Sequence, residues 1–367
     1  MNIAIVDPFF EKSHAHWANG IKAFSKYNVD IYSNPPVHWK WQMIGGTLEI
    51  AERIKPTVGS YDLLLVTDML DLPCFLGLLS KEKLPPTVLY FHENQITYPW
   101  SPSDSDIREK RDYHYGFINV RSAITADYVL FNSEYHKASF LNALPPFLNK
   151  FPKINWPISL DILFENSLVI PIGINQKIIC KNKKTNELPI FIWNHRWEYD
   201  KGPEFFFNTL ISIKNKDYNF GLIVVGKPYS NQPPIFAKAK EELKAQIIHW
   251  GYVANKNEYY QKLSESNILM ITGQQDFFGI SVIEAIQYGN LPILPNRLAY
   301  PEHLPKGTRD EALYNDDKLI DKIFQVIDSK KYLDTQKYEN HIEKYLWKRV
   351  IKEYDDFFIK VVAGRRH

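Results

Sequence analysis

Short unbroken apolar runs alternate with stretches of helical spacing along most of the chain. Segments 2–6, 61–67, 87–91 and 128–132 each hold such a run, and an uninterrupted apolar run of roughly four to eight residues suits a parallel strand covered on both faces; 29–33 reads as a further strand beside them. Helical spacing falls between them. It predicts helices over 14–27, 112–125 (with Tyr113, Phe117 and Val120 on one side) and 133–144, and the Pro- and aromatic-rich segment 145–156 then reads as irregular. Residues 167–174 close this first series. A charged connector with Lys181, Lys183 and Lys184 follows. The pattern then restarts with strands over 189–194, 220–225, 247–252, 268–271 and 291–294, and helices over 203–214, 234–243 and 258–266. A long, basic, aromatic-rich helix over about 338–362 ends the chain. The alternation predicts an α/β protein of two Rossmann-like domains, 1–175 and 188–340, joined by a linker at 176–187. Segment 341–367 is expected to return to the first domain.

The second series carries the clearest chemistry. After the apolar run 268–271 comes Gly273-Gln-Gln-Asp-Phe-Phe-Gly279, and helical spacing resumes at Val282, Ile283, Ala285 and Ile286. A strand, a loop and a helix mouth in that order present unpaired backbone N–H groups to an anion such as phosphate. Asp276 on the loop and Glu284 on the helix lie at different depths, and ionised carboxylates accept hydrogen bonds from sugar or ribose hydroxyls. Arg196 and Lys201 flank the corresponding loop ahead of helix 203–214. A guanidinium fork and a point-charge ammonium there suit a diphosphate. Loops at Gly226 and Tyr252 are placed to line a nucleobase.

Candidates in the first series also follow strands, where the loops of an open parallel sheet meet ligands. Ser13 and His14 fall after the first strand, either beside a sugar or phosphate or as a helix cap with a solvated neighbour. His92, at the end of run 87–91 and followed at once by Glu93 and Asn94, can donate a hydrogen bond or move a proton near neutral pH. Trp39, Lys40 and Trp41 interleave aromatic and basic character, fit either to stack on a nucleotide or to pack a loop.

Composition narrows the class further. With 45% hydrophobic and 14% aromatic residues the chain is neither disordered nor fibrous. A formal net charge of +2 does not announce a nucleic-acid binder, so any basic surface must be local. Two cysteines, Cys74 and Cys180, exclude a disulfide framework or a cysteine-rich zinc site and suit a reducing compartment. The first run is broken by Asp7 and Pro8 and lacks a basic leader, and no stretch approaches a membrane span. The expected location is cytoplasmic, without membrane insertion.

The order Arg196, Lys201, Asp276, Glu284, Gly289 resembles the retaining GT-B glycosyltransferases of family 4. More specifically, Phe91-His-Glu-Asn-Gln95 with Tyr98-Pro99, His195-Arg-Trp-Glu198 with Asp200-Lys201, His249-Trp-Gly-Tyr252, Phe277-Phe-Gly279 and Tyr300-Pro-Glu302 are similar to the tRNA-queuosine mannosyltransferase family. The resemblance implies a GT-B fold, with two Rossmann-like domains facing a central cleft and the C-terminal helix crossing between them. It also implies transfer of mannose from GDP-mannose to queuosine in the anticodon of tRNA-Asp, with retention and without a metal or other cofactor. In that family reading, Arg196 and Lys201 neutralise the leaving diphosphate, Glu284 holds the ribose, and Asp276 and His92 hold the donor sugar. The amides of Gly279 and Ile280, beside Phe278, take the phosphate. Asp276 departs from the Glu usual in family 4 by one methylene. Two alternatives stand beside this reading: the same fold acting on a lipid or cell-surface glycan, and a GT-B-like binder of tRNA or nucleotide that transfers nothing. The cations Arg196 and Lys201, together with Glu284, argue against the second.

Overall fold

A computed structural model describes residues 1–101, 104–109, 111–152, 163, 165–178, 188–228 and 232–364. The chain divides into two compact units, Met1–Gly173 with Trp347–His367, and Ile174–Leu346. The connector lysines Lys181, Lys183 and Lys184 lie outside the described residues.

In the first unit, β1 (Asn2–Asp7), β2 (Asn28–Ser33), β3 (Leu63–Thr67), β4 (Thr87–Phe91), β5 (Tyr128–Phe131) and β6 (Ser167–Val169) form one sheet. Its order is β2-β1-β3-β4-β5-β6 and every pair is parallel. All residues of β3 and β4 are buried, as a sheet covered on both faces requires. The chain leaves β1 for β2 and comes back to β3 on the other side of β1. That reversal opens a crevice at the carboxyl ends of β1 and β3. Asp7, Thr67 and Asp68 sit there, and His92 follows β4.

The second unit repeats the device with β7 (Ile190–Trp193), β8 (Gly221–Val224), β9 (Ile247–Trp250), β10 (Ile268–Met270), β11 (Leu291–Pro295) and β12 (Leu313–Tyr314). The order is β12-β11-β10-β7-β8-β9, again parallel throughout. Here the reversal lies between β7 and β10. The loops after these strands therefore share one crevice, and they carry Arg196, Lys201 and Asp276.

Local expectations fail in three places. The helix Glu134–Leu148 runs on through Pro145 and Pro146 where an irregular segment is expected. Its buried face, Phe140, Leu141, Leu144, Phe147 and Leu148, continues unbroken and outweighs the two lost N–H donors. Ser13 is no cap, because the helix Lys12–Phe24 begins before it and is flanked by Glu11. The C-terminal helix is two helices, Gln336–Ile342 and Trp347–Gly364, separated by the turn Glu343–Tyr345 and an extended Leu346. Backbone pairing explains the break: Ile174 bridges to Leu346, and its N–H donates to the Tyr345 carbonyl at 2.7 Å.

Trp347 locks the discontinuous first unit. Its indole is 1% exposed and fills a slot that only glycines leave open. A Cβ on Gly20 would lie 2.0 Å from the ring, and one on Gly173 2.2 Å. Nearby, Trp17 donates to the Tyr354 hydroxyl at 2.9 Å and Ser25 to Asp355 at 2.6 Å. Trp347→Ala should lower the stability of this unit by about 3–5 kcal/mol through the cavity left behind. Gly20→Ala should cost about 1–3 kcal/mol by overfilling the same slot. Urea unfolding followed by tryptophan fluorescence checks both; an unchanged midpoint in either variant would contradict the packing.

Candidate active site

Each unit carries a polar cluster at the carboxyl ends of its central strands. In the second unit the mouth of the helix Ile280–Gln287 is set by Gly279, whose φ of +81° is the left-handed conformation that favours glycine. Lys201 reaches this mouth from the loop after β7. Its Nζ donates to the Gln275 carbonyl at 2.8 Å, pairs with Asp200 at 3.2 Å, and lies 3.9 Å from Asp276. Burial alone would depress the ammonium, but Asp276 and Asp200 outweigh it and hold Lys201 above its usual range. Arg196 pairs with Glu198 at 3.0 Å, keeps about a third of its side chain in solvent, and is near enough to Lys201 to oppose its charge.

Between these cations sits His195, driven down to about 3 by burial and by Lys201 and Arg196, and therefore neutral at physiological pH. Its Nδ1 lies 3.3 Å from the Ser281 hydroxyl, and Asn194 donates to the Ser281 carbonyl at 2.8 Å, stitching the β7 loop to the helix's first turn. Gly226 passes so close behind that a Cβ there would sit 2.0 Å from the His195 carbonyl oxygen. Glu284 accepts from the Tyr259 hydroxyl at 3.3 Å and the Tyr260 hydroxyl at 3.4 Å. Burial raises its pKa against the opposing effects of Lys256 and the two tyrosines. Tyr252 is 56% exposed, and Phe278 is buried. Tyr300 touches Asp276 at 3.5 Å, and His303 donates to the Phe278 carbonyl. The sequence reading stopped at Glu302, one residue short of that contact.

In the first unit, His14 pairs with Asp7 at 3.0 Å and stacks on His92 with centroids 3.9 Å apart. Asp7 also accepts from Thr67 at 3.1 Å, and Asp68 accepts the His92 backbone N–H at 2.8 Å. Burial opposes the charge on His14, yet Asp7, with Asp68 and Glu93 behind it, lifts the pKa to about 9. Asp68 is pushed up to about 8, first by burial. His92 falls well below its usual value through burial and the neighbouring charge on His14. Both of its ring nitrogens are buried without a hydrogen-bond partner among the described residues. A neutral imidazole so placed offers one donor and one acceptor to a ligand hydroxyl. Asp7 and Asp68 were legible only as acids at strand ends.

Most other candidates make local contacts, although the Asn94 Nδ2 is buried without a hydrogen-bond partner among the described residues. The Asn94 side-chain oxygen accepts Ile96 and Thr97 N–H groups at 3.2 and 3.0 Å, and Glu93 accepts from Gln95 at 2.9 Å. Lys40 pairs with Asp104 and Asp106, each at 2.6 Å, so its charge is already answered inside the protein. Trp39 packs on Tyr115 at 5.1 Å. Trp41 is 64% exposed, with its ring flat against Gly45, where a Cβ would lie 2.6 Å away.

Residues 2–174 match the family model described as tRNA-queuosine alpha-mannosyltransferase N-terminal, and residues 175–345 that for glycosyl transferases group 1. Over its full length the chain is 30% identical to a tRNA-queuosine alpha-mannosyltransferase of Drosophila melanogaster and covers 98% of that protein. The chain belongs to the tRNA-queuosine alpha-mannosyltransferase family. Its fold is that of GT-B glycosyltransferases. It aligns with a sucrose-phosphate synthase from Thermosynechococcus elongatus (TM-score 0.75, 13% identity, 99% of this chain and 100% of that one). It also aligns with Anabaena HepE in complex with UDP and glucose (TM-score 0.68, 13% identity, 98% and 99%). The boundary between the two family models falls one residue from the boundary between the two units. The His14 and His92 cluster thus lies in the queuosine-family segment, and the Lys201 cluster in the general glycosyltransferase segment. Among the described residues no helix is long and apolar enough to cross a membrane.

The paired histidine of this family member sets an alkaline limit. Unfolded, His14 releases its proton near 6.5; folded, near 9. Its pair with Asp7 therefore stabilises fully below pH 6.5, and that stability is lost as pH rises through 9. Asp68 acts in the same direction, with 3.8 unfolded against about 8 folded. Asp7→Asn should bring the His14 midpoint down and flatten the loss of melting temperature between pH 6.5 and 9. An NMR titration of the His14 ring checks this, and an unmoved midpoint would rule out the assignment.

Proposed function

We propose that this chain transfers mannose from GDP-mannose to queuosine in the anticodon of tRNA-Asp, retaining the configuration of the anomeric carbon. The observation that carries the proposal is the buried ammonium of Lys201 beside Asp276, three residues before the helix mouth at Gly279, in a chain with full-length kinship to the Drosophila enzyme. Lys201 and Arg196 neutralise the diphosphate as the C1–oxygen bond breaks, a contribution made by preorganised charge in a site shielded from water. The Gly279 and Ile280 amides face the phosphate. Glu284, oriented by two tyrosine hydroxyls, accepts from the ribose. Asp276 and His92 hold sugar hydroxyls. The cyclopentenediol oxygen of queuosine bonds to C1 from the face the leaving group departs, and its proton passes to the freed phosphate oxygen. No protein nucleophile or metal is required in this scheme. A tRNA acceptor and two cysteines suit the cytoplasm.

Of the acceptor-side residues Trp39, Lys40, Trp41, Glu93 and Asn94, exposure supports that role best for Trp41. Lys40 is occupied by two aspartates, whereas the outer face of the Trp41 indole is open to a base.

Incubation with GDP-mannose and queuosine-containing tRNA-Asp should add one hexose to the nucleoside, read by mass spectrometry of the digest. Arg196→Ala and Lys201→Ala should each lower kcat by on the order of 10²–10³ if they stabilise the leaving group. Donor turnover without any hexose on the tRNA would point to a lipid or glycan acceptor, and neither turnover nor transfer to a plain binder. Trp41→Ala should raise KM for the tRNA about 10-fold, in line with a lost stacking contact of about 1–3 kcal/mol, and leave KM for the donor unchanged. Equal KM for tRNA in wild type and variant would remove Trp41 from the acceptor surface.

A further inference from the structure

The donor loop is held from behind by a histidine to which neither the motifs nor the proposed chemistry gives a role. His303 is fully buried, with both ring nitrogens engaged: Nε2 donates to the Phe278 carbonyl, and Nδ1 lies 3.1 Å from the Tyr345 hydroxyl. The two contacts fix the tautomer. The carbonyl can only accept, so Nε2 carries the proton; Nδ1 is then a bare acceptor, and it lies nearer the Tyr345 hydroxyl, at 3.1 Å, than that hydroxyl's other acceptor, the Glu302 carbonyl at 3.4 Å. Burial keeps the ring neutral, at about 4. Phe278, His303 and Tyr345 enclose one another edge to face, with centroids 5.4–5.5 Å apart, so the ring has little room to swing.

The Phe278 carbonyl and the Gly279 N–H belong to one planar trans peptide, and in such a unit the C=O and N–H bonds point in opposite directions. A carbonyl pinned toward His303 therefore sends the Gly279 N–H the other way, out of the helix mouth. Glycine at φ +81° has no side chain to resist other orientations of that peptide, so the constraint has to come from outside the loop.

We propose that His303 is a positioning residue for glycosyl transfer: by holding the Phe278 carbonyl it aims the Gly279 amide at the donor's phosphate. The inference rests on reading that mouth as a nucleoside-diphosphate site. The orienting chain runs Tyr345 hydroxyl, His303 ring, Phe278–Gly279 peptide, phosphate. His303 touches no substrate atom.

The test compares His303→Leu, which removes the donor, with His303→Gln, whose side-chain amide can restore it to the same carbonyl. GDP affinity by calorimetry and steady-state kinetics with GDP-mannose and queuosine-containing tRNA-Asp are measured on the full chain. His303→Leu should weaken GDP binding and raise KM for the donor by about 10-fold, the scale of one lost charge-assisted contact, with KM for the tRNA unchanged. His303→Gln should recover most of that loss. If His303→Leu does not fold, Tyr345→Phe carries the comparison, with a smaller rise of about 3-fold expected from a ring that keeps its bond to the Phe278 carbonyl but loses its second anchor. Wild-type GDP affinity in His303→Leu beside a lowered melting temperature, or a His303→Gln as impaired as His303→Leu, would reduce His303 to packing. A wild-type chain that binds no GDP overturns the diphosphate reading itself, and this inference with it.

Discussion

A buried ammonium has to be answered from within the protein, and the second unit is arranged around one. Lys201 gives up most of its hydration, a loss that only close acceptors offset. Asp200 supplies one from its own loop; Gln275 and Asp276 supply others from the loop after β10. The two loops belong to adjacent strands that the chain reaches at different times, because β7 and β10 flank the reversal of the sheet. One side chain thus fastens the two edges of the crevice together. The same charge adds to the burial that keeps His195 neutral, and it stands ahead of Gly279. Buried charge and loop geometry therefore share a common origin there.

The first unit solves a different problem with similar means. Its crevice holds a pair, His14 with Asp7, whose charge is internally balanced, and against it a stacked His92 whose ring nitrogens both lack a hydrogen-bond partner among the described residues. Burial, reinforced by the charge on the paired histidine, excludes the proton from its neighbour, so His92 stays a neutral hydrogen-bonding group where a surface histidine would titrate. The second unit thus holds two paired cations near its helix mouth, and the first keeps a neutral donor and acceptor buried.

Much of this was readable from residues alone. Apolar runs marked the central strands, down to Thr87–Phe91, because burial on both faces leaves little room for polar interruptions, and helical spacing marked Pro203–Lys214. Arg196, Lys201, Asp276, Gly279 and Glu284 were visible because loops after parallel strands are where polar residues gather for a reason. Features that depend on distant partners were hidden. Nothing local to Lys40 reveals the two aspartates more than sixty positions away that claim its charge. Nothing near Pro145 says that five buried side chains will carry a helix through it, and nothing at Tyr345 announces that its carbonyl meets Ile174. His303 was missed because its role is carried by a backbone carbonyl, which has no letter in a sequence.

The discontinuity of the first unit bears on how the protein is made. Its six strands are complete by Val169, yet Trp347, which fills the slot between Gly20 and Gly173, arrives only after the whole second unit. During translation the early sheet must wait on the ribosome with that groove vacant, exposing apolar surface of the kind chaperones recognise. A nascent chain halted just before its final twenty or so residues would hold a finished second unit and an unfinished first one. Premature termination late in the message should therefore be far more damaging than the small fraction of missing residues suggests.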